Sequence, residues 1–131
     1  MTASWGGVGI LWNKKVAFVF IRPQRYTKEF IDAQEHLTLS FYEEAHRKEL
    51  AYFGKASGRE EDKIKKADFH TIKENGYAYF EEANTVLKCK KLYAQKLDQD
   101  CFLEKDLIEK NYPLSDYHTM YIVEIETVLT K

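Results

Sequence analysis

The stretch Val16-Ala-Phe-Val-Phe-Ile21, set between Lys14-Lys15 and Arg22-Pro23, decides the fold class. An unbroken apolar run of this kind reads as a strand buried on both faces. Pro23 stops the ladder, because proline has no N–H to donate. Working outward, Leu37–Ser40, Tyr77–Phe80 and Thr85–Leu92 read as further strands. From His118 to Leu129 the pattern alternates: Met120, Ile122 and Glu124 share the face of His118, and Tyr121, Val123 and Ile125 face the other way. Short helices fall between these strands. Thr27 is positioned to cap one over Lys28–Gln34, with Glu29 in its first turn. Ser40 and Glu43 spell a capping box that opens a helix through about Phe53, and Gly54 supplies a stop. Lys55–Gly58 reads as a loop, Arg59–Ala67 as a charged helical turn, and Glu104–Lys110 as a short helix ending before Tyr112-Pro113. The predicted fold is mainly β with short helices, a β-barrel with helical decoration, in a single domain over residues 1–131.

Composition narrows the classes of function. The chain is 44% hydrophobic and 31% charged, as expected of an ordinary globular protein. Twenty basic against twenty-one acidic residues leave a net charge of -1, which gives no electrostatic case for nucleic acid or an anionic membrane as main partner. The two cysteines, Cys89 and Cys101, suggest neither a disulfide framework nor a zinc site. His36, His46 and His70 are scattered and lack metal-ligand spacing. The longest apolar run is too short to span a bilayer, and the N-terminus lacks the layout of a signal peptide, so a cytoplasmic location is expected.

Four constellations could carry chemistry. In Arg22-Pro-Gln-Arg-Tyr-Thr27 a strand ends, two arginines follow and a helix begins; free N–H groups and planar guanidinium forks suit phosphate oxygens. The alternative is that Thr27 only caps while the arginines are solvated or paired with acids, and pattern alone slightly favours it. Thr2-Ala-Ser-Trp-Gly-Gly7 offers small hydroxyl side chains beside glycine, allowing close approach of a ligand, although a flexible terminus reads equally well. Its glycines have the wrong spacing for a dinucleotide fingerprint. Ser57-Gly-Arg59 with Asp62-Lys63 is either a loop closing over a phosphate or a solvated turn. Asp116-Tyr-His118 places a histidine at the mouth of the last strand, where it could bond a ring or substrate carbonyl, act as an acid near neutral pH, or be structural. Cys89 reads as core rather than nucleophile.

Taken in order, these segments resemble the flavin reductase-like family of FMN-binding split barrels, and its flavoredoxin-type members most closely. The matching stretches are Met1–Gly6, Lys15–Thr27, Glu29-Phe-Ile31, Leu39-Ser-Phe41, Gly54 with Ser57-Gly-Arg59 and Asp62-Lys63, Phe80–Ala83, Leu87-Lys-Cys89, Asp116-Tyr-His118 and Tyr121–Ile125. The resemblance implies that Thr2, Ser4 and Trp5 lie along the flavin. It implies that Arg22, Arg25, Tyr26 and Thr27 surround the ribityl phosphate, with Ser57, Arg59 and Lys63 approaching from the loop. It sets His118 near the ring face or the nicotinamide, as the best candidate for a catalytic role. It further implies a homodimer with FMN near the interface, and hydride transfer from NADH or NADPH to flavin N5. Electrons would then leave to free flavin or to a redox protein acceptor. Two other readings stay open: an FMN-binding electron carrier without its own reductase activity, and a structural split barrel without flavin. Family members carry a further stretch, including a barrel strand, before the Thr-x-Ser-Trp motif, whereas this sequence starts within it. The expectation is that a form lacking this strand has an exposed edge and binds FMN weakly.

Overall fold

Two left-handed residues set the first turn of the sheet. A computed structural model describes residues 1–131, and in it Trp12 and Asn13 have φ of 53° and 58°. They join β1 (Gly6–Leu11) to β2 (Lys14–Ile21) in a two-residue hairpin, with Leu11 opposite Lys14. Such turns match the twist of antiparallel strands. β1 was not expected, because Gly6, Gly7 and Gly9 depress strand propensity; pairing with β2 overrides that local preference. Gly6 is required where it stands. A Cβ there would lie 2.1 Å from the Phe18 carbonyl oxygen, and φ is 134°.

The remaining strands are β3 (His36–Phe41), β4 (Thr71–Glu74), β5 (Tyr77–Phe80), β6 (Thr85–Lys96) and β7 (Thr119–Thr130). Five of them form one antiparallel sheet in the order β1-β2-β7-β6-β3. The sheet does not close on itself, which is the architecture of a split barrel. Ala17, Val19, Ile21, Leu37, Leu87, Cys89, Tyr121 and Val123 form the core on one face, each large apolar side chain contributing ~1.5–3 kcal/mol by burial. Val8 pairs with Ala17 and so lies on this same face, yet at the β1 edge Val8 and Ile10 are 67% and 69% exposed.

β4 and β5 form a separate hairpin through Asn75 and Gly76, both with positive φ. Lys88 pins it: its Nζ donates to Glu74 at 2.6 Å and lies 5.4 and 5.6 Å from the Tyr77 and Tyr79 ring centroids. Thr38 Oγ1 also donates to the Ala78 carbonyl at 2.7 Å. Of these two strands only β5 was expected.

The helices are α1 (Thr27–Ala33), α2 (Arg47–Lys55), α3 (Lys63–Lys66) and α4 (Asp106–Asn111). Thr27 is the first residue of α1 and not its cap; Tyr26 occupies that position with no side-chain capping bond. The capping box also fails, since Ser40 is drawn into β3 by its pairing with Val86, and a tight turn at Glu44–His46 leads into α2. Gly54 lies inside α2, which ends at Lys55. The charged segment condenses to α3, whose first turn is capped by Asp62 accepting from the Lys65 N–H at 3.1 Å. α1 is tethered from below: the Tyr121 hydroxyl donates to Asp32, and Lys91 Nζ donates to the Ile31 carbonyl at 2.6 Å. No helix is long and apolar enough to cross a membrane. Cys89 is fully buried and its thiol is pushed up to about 12 by burial, whereas Cys101 is exposed.

Candidate functional site

A cavity of about 620 Å³ opens where the start of α1 faces the end of α2 and α3. Thr2, Arg25, Tyr26, Thr27, Ser57 and Lys63 all line it. Its floor is aromatic: Phe53 stacks on Phe80 with an interplanar angle of 7°, and Phe69 meets both rings edge-on. Among its lining side chains the cations Arg25, Lys55 and Lys63 outnumber the carboxylates Glu61 and Asp62. Arg25 Nη1 donates to the Gly54 carbonyl at 3.0 Å, and Lys63 Nζ donates to the Phe53 and Ala56 carbonyls at 3.1 and 3.0 Å. These are carbonyls of the α2 C-terminal turn, where cations complement the helix dipole. Neither cation is paired with a carboxylate, so their charge is only partly compensated. Burial, then the neighbouring Arg25, holds Lys63 below its usual range. The Met1 amine lies in the same region; burial, then Lys63 and Arg25, lower it to about 5. Thr27 spends no hydroxyl on capping and is available to a ligand.

The loop above the cavity is shaped by Tyr26. Arg59 lies 4.4 Å over the Tyr26 ring and pairs with Glu29 at 3.0 Å, which fixes it at the margin. A Cβ at Gly58 would stand 3.1 Å from the same ring, so glycine lets the loop lie against it. Ser57 Oγ accepts from the Arg59 N–H at 3.2 Å, closing the turn. Gly54 serves the N-terminal segment: a Cβ there would meet Thr2 Oγ1 at 2.6 Å.

Arg22 turns away from this cavity. Its Nη1 donates to Asp116 Oδ2 at 2.8 Å and its Nη2 to the Asn111 carbonyl at 2.9 Å, with the guanidinium 5.0 Å from the Tyr112 ring centroid. A hydrogen bond from Gln24 Nε2 at 2.8 Å, reinforced by Arg22, holds the Asp116 carboxyl below the usual carboxylate range. These contacts border an aromatic nest around His118. The His118 ring lies 5.1 Å from Trp5, and its Nδ1 is 2.7 Å from the buried Tyr112 hydroxyl. Burial, then Arg22, lowers its pKa, which favours the neutral imidazole. Gln24 joins the two regions, lining the cavity while bonding Asp116. Thr2 and Trp5 also join them, three residues apart, a reach of roughly 10 Å in extended chain.

A family model for the flavin reductase like domain matches residues 10–131. The chain belongs to this family. Among solved structures it is similar to flavoredoxin from Methanosarcina acetivorans, with TM-score 0.77 and 16% identity over 100% of this chain and 60% of that one. Flavoredoxin of Desulfovibrio vulgaris (Miyazaki F) matches with TM-score 0.76 and 21% identity over 100% of this chain and 61% of that one. An FMN-binding protein from Thermus thermophilus, with bound p-hydroxybenzaldehyde, matches at 0.74 and 18% over 98% and 62%. At these identities the likeness is one of fold. The chain spans about 60% of the length of the two flavoredoxins. No curated protein sequence matches.

In this flavin reductase-like chain, six of the residues singled out from sequence converge on the cavity, and Arg59 stands at its margin. Trp5, His118 and Arg22 gather in the neighbouring nest, while Ser4 is exposed and makes no hydrogen bond. Three contributors went unnoticed in the sequence: Gln24, Phe53 and Tyr112. Gln24 stands inside the Arg22–Thr27 motif, but its role depends on Asp116, far away in sequence. Nothing in the local pattern links Tyr112 to a histidine six positions later.

Proposed function

We propose that the chain, acting as one unit over residues 1–131, binds FMN and passes hydride from NADH or NADPH to it. The observation that carries this reading is the pair Arg25 and Lys63, two cations without carboxylate partners at one end of a cavity. They suit a phosphate dianion, with the Thr27 and Ser57 hydroxyls as further donors. Trp5 and His118, reached from the cavity along the N-terminal segment, suit a flat heteroaromatic ring and its polar edge. When bound, FMN supplies a two-electron acceptor at ring atom N5. The residues bind and orient it: Arg25 and Lys63 fix the phosphate, Trp5 covers apolar ring surface, and neutral His118 offers a hydrogen bond. The chain works in the cytoplasm as a homodimer. The exposed Val8 and Ile10, which extend the core face beyond the cover of this chain, suit burial by a second copy.

An absorbance spectrum before and after adding FMN and desalting tests the reading. Retained flavin bands are expected; a protein left colourless overturns it and favours a split barrel without flavin. The fold shared with flavoredoxins supports a second reading, an FMN carrier that takes electrons from another reductase. Consumption of NADH or NADPH with free flavin as acceptor separates the two, since a carrier consumes neither.

A further inference from the structure

We propose that Tyr112 is a positioning residue that fixes His118 as the Nε2–H tautomer, presenting a neutral N–H donor to a hydrogen-bond acceptor on a ligand lying against Trp5. The assignment of that ligand as a flavin rests on the function proposed above; the tautomer does not.

The argument begins with hydrogen-bond accounting. Tyr112 and His118 are 5% and 8% exposed, and the phenol oxygen lies 2.7 Å from Nδ1. Burial raises the Tyr112 pKa, so the phenol keeps its proton. Nδ1 is the ring nitrogen within bonding distance of that hydroxyl. Were Nδ1 protonated it would donate to the phenol oxygen, and the buried phenol hydrogen would lose its partner. Satisfying both groups requires that Tyr112 donate and Nδ1 accept. The imidazole proton then resides on Nε2, which makes no hydrogen bond in the protein and is not sealed from the surface.

The surroundings hold this arrangement. The Tyr112 ring is clamped by Tyr117 at 4.8 Å and Phe102 at 6.0 Å between centroids, with Arg22 at 5.0 Å over its face. The charged groups bordering His118 are Arg22 and Asp116, and they are bonded to each other at 2.8 Å. Burial disfavours an imidazolium, Arg22 adds to that, and Asp116 partly offsets it. Of the neighbouring phenols, Tyr112 keeps its proton, and the Tyr117 hydroxyl donates to Gln99 Oε1 at 3.3 Å. A histidine so held is suited to bonding a carbonyl or ring nitrogen, and poorly suited to delivering a proton at neutral pH.

Long-range ¹H–¹⁵N correlation spectra of the imidazole nitrogens in the ligand-free protein, across a pH titration, test this directly. The expected result is a His118 that is neutral at pH 7 with its proton on Nε2, and in Tyr112→Phe a mixture of tautomers. A His118 protonated at pH 7, or carrying its proton on Nδ1, overturns the proposal. So does a folded Tyr112→Phe protein with unchanged imidazole signals; the wild-type spectrum decides the tautomer even if that variant does not fold. Adding FMN to the wild-type protein separates the two claims. Flavin retained with the Nε2–H resonance shifted supports both, flavin retained with that resonance unmoved removes the donor role, and no retained flavin overturns the flavin reading while the ligand-free spectra still decide the tautomer.

Discussion

Arg22 and Arg25 stand three positions apart in one motif, and the fold gives them opposite uses. Arg22 is answered by Asp116 at 2.8 Å, a backbone carbonyl and an aromatic face, and its charge is spent on holding the C-terminal strand entry in place. Arg25 is answered by a single carbonyl of the α2 end and leaves charge facing a cavity. The difference shows that the availability of a cation is set by its partner. A carboxylate neutralises it; a helix-terminal carbonyl orients it and leaves it able to attract an anion.

The most damaging way to break this contrast is to remove the floor that shapes the cavity. Phe53→Ala deletes a buried ring stacked on Phe80 and is expected to destabilise the fold by ~3–5 kcal/mol, measured by urea denaturation. A loss below about 1 kcal/mol would show that the floor is not a packed cluster. Exchanging the arginines sharpens the contrast. Arg25→Ala is expected to weaken FMN binding by ~1.5–3 kcal/mol in a fluorescence titration, the value of a charge-assisted bond. Arg22→Ala is expected to lower the melting temperature instead and leave FMN affinity nearly unchanged. If the two variants behave alike, the assignment of separate roles is wrong.

The smallest effect lies in pH dependence. His118 has a pKa below the ordinary 6.5 through burial, then Arg22. The unfolded chain therefore takes up its proton first, and stability present above pH 6.5 is lost as pH falls through the folded-state value. His70 has the opposite sign. Its bond to Glu82, 2.6 Å from Nδ1, raises its pKa above 6.5, so the stability it adds is full below pH 6.5 and lost as pH rises through the folded-state value. In melting curves against pH, each variant is read relative to its own offset from wild type at high pH. The His118→Gln protein should gain on wild type as pH falls below 6.5, and the His70→Gln protein should fall behind it as pH falls to 6.5. Changes of the same sign in the two variants would refute the contrast.

The sequence made most of the sheet legible, because Val16–Ile21 and the alternation after His118 are long, strongly patterned runs whose burial decides their conformation. β1 was hidden by three glycines and by a Trp-Asn turn in place of the common Asn-Gly. β4 was different: Asn75-Gly76 is that common signal and could have been read. The capping motifs misled because a strand ladder competes for the same residues, as Ser40 shows. The convergence of Arg25, Tyr26, Thr27, Ser57 and Lys63 on one cavity was legible because they sit in two short motifs. The division between Arg22 and Arg25 was not, since it depends on Asp116, far away in sequence.

The unequal fates of the two thiols carry a practical consequence. Cys89 is sealed in the core and its thiol, at about 12, stays protonated, so alkylating reagents have one reachable sulfur, Cys101. That residue adjoins Phe102, whose ring packs on both Tyr112 and Tyr117. A fluorophore placed there without any mutagenesis sits beside the aromatic nest and gives an optical window on changes around His118.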